Sequence, residues 1–121
     1  MTTSQAGELL GILHEHFNPD EEGWLWLALY KDGRDGGVVN QVEGHYEDPA
    51  GTARGMALII NQVCADHAYV ALCRRDGRPT EADRELWRQL SRQVSSEVLT
   101  DMVVFDAVRA WSMRAEDAAA A

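Results

Sequence analysis

Residues 24–30 read WLWLALY, an uninterrupted apolar run that is followed by the polar segment KDGRDGG at residues 31–37. Seven residues are few for a helix but typical of a strand that is buried on both faces of a sheet. The two Asp-Gly steps of the polar segment indicate a turn. We therefore predict a strand at residues 24–30 that pairs antiparallel with a second strand at residues 38–42.

Three segments have the apolar spacing and the boundary residues that are typical of helices. The first covers residues 4–17, where apolar side chains recur at helical spacing before Asn18-Pro19. The second begins at Asp48-Pro49, an Asp cap followed by Pro at the first helical position, and reaches about residue 65. The third begins at the capping residue Thr80 and extends to residue 94.

Short apolar segments at residues 67–73, 102–105 and 109–113 are predicted to be strands. The predicted order is α-β-β-α-β-α-β-β, in which a hairpin precedes the helical crossovers. This order indicates the α/β (α+β) class, with a mixed sheet of about five strands and three helices packed on it. We expect a single domain at residues 1–113 and a frayed tail at residues 114–121, which ends in four alanines.

The chain has 121 residues and a formal charge of −9, and 45% of its residues are hydrophobic. These values fit one folded domain and argue against binding to nucleic acid or to anionic membranes, because both are polyanions. No apolar run approaches the ~20 residues that cross a bilayer, and the first residues lack the pattern of a secretory signal. We expect Cys64 and Cys73 to be free thiols and the protein to be cytoplasmic.

Several motifs in residues 23–113 follow one layout. An apolar strand, an Asp-Gly turn and a second strand precede a helix rich in Ala and Met (GMALIINQVCADHA). A third strand then leads through a Gly/Pro loop to PTEAD at residues 79–83, and two strands close the chain (TDMVVFDAVRAWSM). In this layout, and in PTEAD as a counterpart of Pro-Ser-x-x-Asp, the chain resembles the JAB/MPN metalloprotease superfamily, in particular its RadC-like branch. The resemblance covers about three quarters of the chain and implies a JAB/MPN-like fold.

The resemblance also implies where a zinc site would be, and there the sequence departs from the family. Members that act as zinc hydrolases carry His-x-His at the end of the strand before the loop and an Asp at the next helix. This chain has Cys73 and two arginines at that strand end, and a gap-free alignment would place Val70 and Leu72 at the histidine positions. Only Asp83 matches a ligand position, so we predict neither a metal nor another cofactor. The histidines do not have the spacing of a metal site: His14, His16, His45 and His67.

Cys73 and Asp83 are the two catalytic candidates, and each has a simpler interpretation. Asp83 lies three residues after Thr80, where a carboxylate stabilises the N-terminus of a helix. Neighbouring arginines could lower the pKa of Cys73 and favour its thiolate. A nucleophilic cysteine also needs a base, however, and the spacing identifies neither His45 nor His67 as one. The default interpretation of Cys73 is a buried structural thiol.

Two sets of residues are candidates for binding. Arg84, Arg88 and Arg92 recur every four residues and so line one face of the third predicted helix. They form either a solvated face paired with neighbouring acids or a docking surface for an acidic partner or a phosphate-bearing ligand. The full basic cluster comprises Arg74, Arg75, Arg78, Arg84, Arg88 and Arg92. Trp24 and Trp26 share one strand face and form the second candidate interface.

We therefore expect a non-catalytic JAB/MPN-like protein-interaction or scaffold domain of an intracellular, bacterial-type protein. Its partner would be another protein, acidic in character, or a second copy of the chain. The alternative is a hydrolase-like enzyme or a sensor of anionic ligands that uses the region of Arg74, Arg75 and Arg78 with Cys73 or Asp83. The missing zinc ligands favour the binding domain over the enzyme.

Overall fold

The computed structural model describes residues 11, 13–15, 18–31, 38–43 and 46–120 of the chain. It confirms a mixed α/β fold in which helices pack on a single mixed sheet. Of the predicted helix at residues 4–17, residues 11 and 13–15 are helical, and the remainder lies outside the described residues. A short 3-10 helix, Pro19–Glu21, leads from there towards the sheet.

The strands and helices follow one another in nearly the predicted order. They are β1 (Leu25–Tyr30), β2 (Val38–Glu43), α1 (Pro49–Gln62), β3 (His67–Cys73), α2 (Glu81–Gln93), β4 (Leu99–Phe105), β5 (Ala110–Ser112) and α3 (Met113–Ala120). None of the described helices has the length and apolar character that crossing a membrane requires.

The sheet has the strand order β2-β1-β3-β4-β5. β1 pairs antiparallel with both β2 and β3, β3 pairs parallel with β4, and β4 pairs antiparallel with β5. The apolar run at residues 24–30 forms an inner strand, and its side chains enter a core cluster on each face of the sheet, as its composition predicts. Because β3 and β4 are parallel, the chain needs a crossover between them, and α2 supplies it.

Alternating strand residues enter two apolar clusters on opposite faces of the sheet. On one face the helices cover the sheet with buried side chains that include Met56 of α1 and Met113 of α3. On the other face Leu13, from the N-terminal helical residues, joins a cluster with Phe105 and Cys73. Cys73 therefore ends β3 inside the core, immediately before the loop that leads to α2.

The C-terminal segment, for which the four alanines predict a frayed tail at residues 114–121, is helical in its described part, as α3. Met113, its first residue, is only 1% exposed and belongs to the core. Alanine has the highest helix propensity of all residues, so the composition that suggested fraying also favours a helix once Met113 anchors it. The predicted strand at residues 109–113 is shorter for the same reason, since β5 ends at Ser112.

Two polar contacts fasten α3 to α2. Arg84 Nε donates a hydrogen bond to Glu116 Oε1 at 2.7 Å, and Trp87 Nε1 donates one to Asp117 Oδ2 at 2.5 Å. Trp87 is 3% exposed, so its indole N–H needs a partner inside the protein. α3 therefore completes the helical layer beside the start of α2.

Candidate functional site

The loop between β3 and α2 brings Arg74 onto Asp83. Arg74 Nε donates to Asp83 Oδ2 at 3.0 Å, and a terminal guanidinium nitrogen donates to Asp83 Oδ1 at 2.6 Å. The Asp83 side chain is fully buried and that of Arg74 is 14% exposed. A bidentate pair of this kind is among the strongest charge-assisted contacts in proteins.

Asp83 also caps α2, as the sequence predicts. The Thr80 N–H donates to Asp83 Oδ2 at 2.9 Å, while the Asp83 N–H donates to Thr80 Oγ1 at 3.2 Å. The two contacts form a reciprocal capping box, which satisfies backbone donors that a helix start leaves free. Both carboxylate oxygens of Asp83 are thereby occupied by donors of the same chain.

Tyr46 encloses Arg74 from a further side. The guanidinium carbon lies 5.8 Å from the centre of the Tyr46 ring, and Tyr46 Oη donates a hydrogen bond to the Ala82 carbonyl at 2.5 Å. Burial acts to lower the pKa of Arg74, but the hydrogen bond and the charge of Asp83 outweigh it, so the pKa is raised. Arg74 stays charged and fills the space in front of Asp83.

This arrangement does not fit a zinc-hydrolase centre. A metal ion could reach Asp83 only by displacing Arg74, and a displaced cation would lose the carboxylate that offsets its desolvation. Among the described residues, no group of three or more His, Cys, Asp or Glu side chains is placed to hold a metal. His14 packs on Phe105 at a ring distance of 5.8 Å and His67 begins β3. His16 and His45 lie outside the described residues.

Asp106 organises the neighbouring loop. It is 4% exposed, and its Oδ1 accepts from the N–H groups of Val108 at 2.8 Å and Arg109 at 2.7 Å. Its Oδ2 accepts from the Arg109 guanidinium at 3.0 and 3.1 Å. Gly77 has a φ of +64°, and a Cβ there would come within 3.0 Å of Asp106 Oδ2. Glycine at this position therefore satisfies both the turn and the close contact.

The acid stability of the protein should depend on Asp106. Hydrogen bonds, led by that from the Val108 N–H, hold the pKa of Asp106 below its ordinary value of 3.8. A carboxylate with a depressed pKa adds stability above its ordinary value and loses it as the pH falls through the folded value. We expect the free energy of unfolding to drop below about pH 4, with a smaller drop in Asp106→Asn. Urea unfolding at several pH values measures both curves, and parallel curves would rule out this role.

Cys73 is a buried thiol with no sign of activation. It is 1% exposed, and burial, followed by the charges of Glu21 and Glu22, raises its pKa to about 12. The positive charge of Arg74 lowers the pKa of Cys73, but burial and the glutamates raise it by more. The neighbouring arginines therefore give no net lowering of the pKa of Cys73, because Arg74 pairs with Asp83 and the thiol faces an apolar cluster. The burial of Cys73 fits its default interpretation as a structural thiol.

Thiol labelling should separate the two cysteines. Cys64 is exposed, whereas Cys73 is buried and its raised pKa keeps it protonated at neutral pH. We expect one rapidly reacting thiol per native chain with a chromogenic disulfide reagent, and a second only after unfolding. In Cys64→Ser the rapid phase should vanish. A rapid phase that persists in this variant would show that Cys73 is reactive.

The remaining predicted arginines do not form one continuous cationic surface. Three of them form ion pairs with glutamates at distances of 2.7–3.2 Å: Arg75 with Glu22, Arg84 with Glu116, and Arg88 with Glu81 and Glu85. Arg78 and Arg92 are exposed. Arg74 points inward to Asp83, so the sequence cluster is divided between a buried pair and a paired helix face. Its docking role stays a prediction.

Trp24 and Trp26 do lie next to each other, as predicted. Their ring centres are 6.3 Å apart, and that of Trp26 is 5.9 Å from Phe105. Both side chains are partly exposed. The pair thus borders the second core cluster and leaves some aromatic surface uncovered, and its use as an interface also stays a prediction.

A small cavity lies beside the loop and is lined by Arg78, a predicted binding residue, together with residues that the sequence did not single out as candidates. Its volume is about 300 Å³, and its walls are Asp76, Gly77, Arg78, Arg109, Ala110 and Trp111. Asp106 positions Arg109 here, and the spacing of Asp106 three residues before Arg109 was a usable turn signal. Tyr46 offered no comparable signal, because it lies in a loop and contacts a residue 36 positions away.

Comparison of the sequence with models of known protein families gives no match, and comparison with curated proteins gives none either. The functional conclusion therefore depends on the geometry described above.

Proposed function

We propose that the chain is a catalytically silent JAB/MPN-like domain that works by binding another protein in the cytoplasm. The observation that carries this proposal is the Arg74–Asp83 pair, in which both oxygens of a fully buried carboxylate accept hydrogen bonds from one guanidinium. If the family resemblance holds, Asp83 is the last remaining ligand position. Arg74 then occupies the space that a metal and its water would need.

The second catalytic candidate supports the same conclusion. Cys73 lies in an apolar cluster with a raised pKa, whereas a nucleophile needs a thiolate or a base within hydrogen-bond reach. Binding a protein requires neither a thiolate nor a base. It requires exposed side chains on a folded scaffold, and Arg88 and Arg92 on α2 are exposed.

Binding and turnover can be separated by experiment. The tagged full chain is crosslinked in extract of its source cells, and the captured protein is identified and purified on its own. We expect the purified pair to form a complex of fixed stoichiometry in chelator as well as in Zn²⁺, and the partner to keep its intact mass. Cleavage or other modification of the partner that requires Zn²⁺ or Cys73 would contradict the proposal.

The docking face can be mapped on the same complex. Reversing the charges of Arg88 and Arg92 to Glu should weaken the complex if α2 is the docking surface, since local positive charge attracts an acidic partner. Arg84 is left in place because its pair with Glu116 joins α2 to α3. Arg54→Glu reverses an exposed cation on α1 and is the control for the change of charge. Unchanged affinity in the double variant would remove α2 as the docking surface.

A sensor of anionic ligands is the second candidate, and the cavity beside Arg78 favours it. Arg109 is held in place by Asp106 and lies with Arg78 and the half-exposed Trp111 around about 300 Å³ of space. Guanidinium groups beside an indole can bind a phosphate that carries a planar ring. ATP should then raise the melting temperature of the wild type, and of Arg78→Ala much less. No shift with ATP or with inorganic phosphate would eliminate this candidate.

A further inference from the structure

The outer surface of α1 carries an apolar ridge that the proposed function leaves unused. The ridge consists of Leu58, Ile59 and Val63, which are 58%, 39% and 41% exposed. These are three of the five large hydrophobic side chains that are exposed in the described part of the chain. Single exposed apolar residues are ordinary, but a group within six positions of one helix marks an interaction surface.

A groove lies directly beside this ridge on the same helix. Its volume is about 350 Å³, and it runs between Val42 of β2 and the first half of α1. The Asp48 carboxylate lies over Gly51 at one end of the groove, where an added Cβ would clash with Asp48 Oδ2, so the open position is Gly55. A Cβ added at Gly55 would meet nothing within 4 Å, so the backbone of α1 is open to close approach there. Ile59 belongs to both features, since it lines the groove and forms part of the ridge.

Charge distinguishes α1 from the rest of the surface. Arg54 is the one charged residue among the 14 of α1, whereas six of the 13 residues of α2 are charged. With a formal charge of −9, two copies of the chain repel each other over most of their surfaces. On α1 two copies can meet with little of that repulsion, because Asp48, at the start of the helix, is the one charged residue among the described residues that line the groove. Depletion of charged residues is also typical of the centre of a protein interface.

The ridge and the groove complement each other about a twofold axis. If two copies of α1 pack antiparallel with Gly55 at the axis, Leu58 of one copy lies opposite Thr52 of the other. Ile59 lies opposite Gly51, next to the Asp48 carboxylate. The ridge of each copy then lies in the groove of the other, so the same contact forms twice. This is the arrangement of an isologous dimer. Close approach at glycine lets ridges and grooves interdigitate.

We propose that a second copy of this chain docks on α1, so that the protein forms a twofold dimer centred on Gly55. The dimer goes beyond the proposed function and does not depend on it, because a monomer could equally bind another protein through α2. Failure of the dimer would therefore leave the proposed function standing, and cleavage of a partner would leave the dimer standing.

Sedimentation velocity of the full chain over a range of concentrations tests the dimer. We expect a species of twice the 13.5 kDa of one chain, with a dissociation constant at least about 100-fold higher in Leu58→Glu, since a buried unpaired charge opposes association. Val108→Glu places the same charge at a side chain that is 80% exposed elsewhere and should behave as the wild type. A wild type that stays monomeric, or a dimer that Leu58→Glu leaves intact, would overturn the proposal.

Two further variants guard against loss of folding as the explanation. Gly55→Gln replaces a poor helix former at an exposed position where an added Cβ meets no neighbour. It should therefore raise the melting temperature at concentrations where the chain is monomeric while weakening the dimer. In a Cys64→Ser background, Gly55→Cys should give a covalent dimer on mild oxidation and Val108→Cys should not. Equal crosslinking of the two would show that α1 is not the interface.

Discussion

Replacing Arg74 with methionine is expected to lower the free energy of unfolding by about 3–5 kcal/mol, the cost of removing one partner of a buried ion pair. The reason lies in Asp83, whose side chain is fully buried and receives its two charge-assisted hydrogen bonds from Arg74. Without them the carboxylate keeps its contact with the Thr80 N–H and loses the charge that offsets its desolvation. Urea unfolding followed by tryptophan fluorescence measures the change.

Two further variants test whether the loss of stability in Arg74→Met comes from a buried ion pair. Arg75→Met removes the neighbouring arginine, whose pair with Glu22 is exposed at 64% and 38%, and should cost no more than about 0.5 kcal/mol. Arg74→Met combined with Asp83→Asn should recover part of the loss, because the amide still accepts the capping hydrogen bond but carries no charge. An Arg74→Met protein as stable as Arg75→Met would mean that the pair is not a buried structural contact.

Ending the chain at Ser112 is expected to lower the free energy of unfolding by at least about 3 kcal/mol. The truncation removes Met113, which is 1% exposed in the core, and deprives Trp87 of its indole acceptor Asp117. It also removes Glu116, which accepts hydrogen bonds from Arg84 and from Trp111 Nε1. A frayed tail would have cost almost nothing, so the result discriminates between the two views of this segment.

Two controls separate the contribution of the Met113 side chain to the free energy of unfolding from that of the rest of α3. Met113→Ala keeps α3 and should account for about 2–5 kcal/mol by itself, as is usual for a buried methionine. A chain that ends at Ala120 lacks only the last residue and should match the wild type. If the Ser112 truncation were as stable as this control, α3 would not be part of the folded core.

The elements that sequence predicts well are those whose boundaries have a local cause. The run at residues 24–30 is apolar throughout because β1 has a core cluster on each face. Thr80 with Asp83 defines the start of α2 through contacts three residues apart. α3 was missed because its stability comes from elsewhere. Nothing in an alanine-rich segment indicates that its carboxylates accept hydrogen bonds from Arg84 and Trp87, some 30 positions earlier.

The candidate site shows the same division. Sequence alone identifies Arg74 and Asp83 as opposite charges nine positions apart, but their pairing depends on how the loop folds back over Tyr46. The proximity of Arg74 to Cys73 suggested an activated thiol, whereas the alternation of β3 turns Cys73 to the other face of the sheet. The pKa of a side chain depends on how deeply it is buried and on which neighbouring charges point towards it. The sequence shows neither the burial nor the orientation.

Zinc binding by the purified full chain tests the central claim most directly, since the claim is that Arg74 has taken the place of a metal at Asp83. Zn²⁺ is titrated into the wild type and into Asp83→Asn in competition with a chromophoric chelator. We predict that neither chain binds zinc with a dissociation constant below the order of 1 µM and that the two titrations coincide. One tightly bound zinc ion per wild-type chain, lost in Asp83→Asn, would contradict the account.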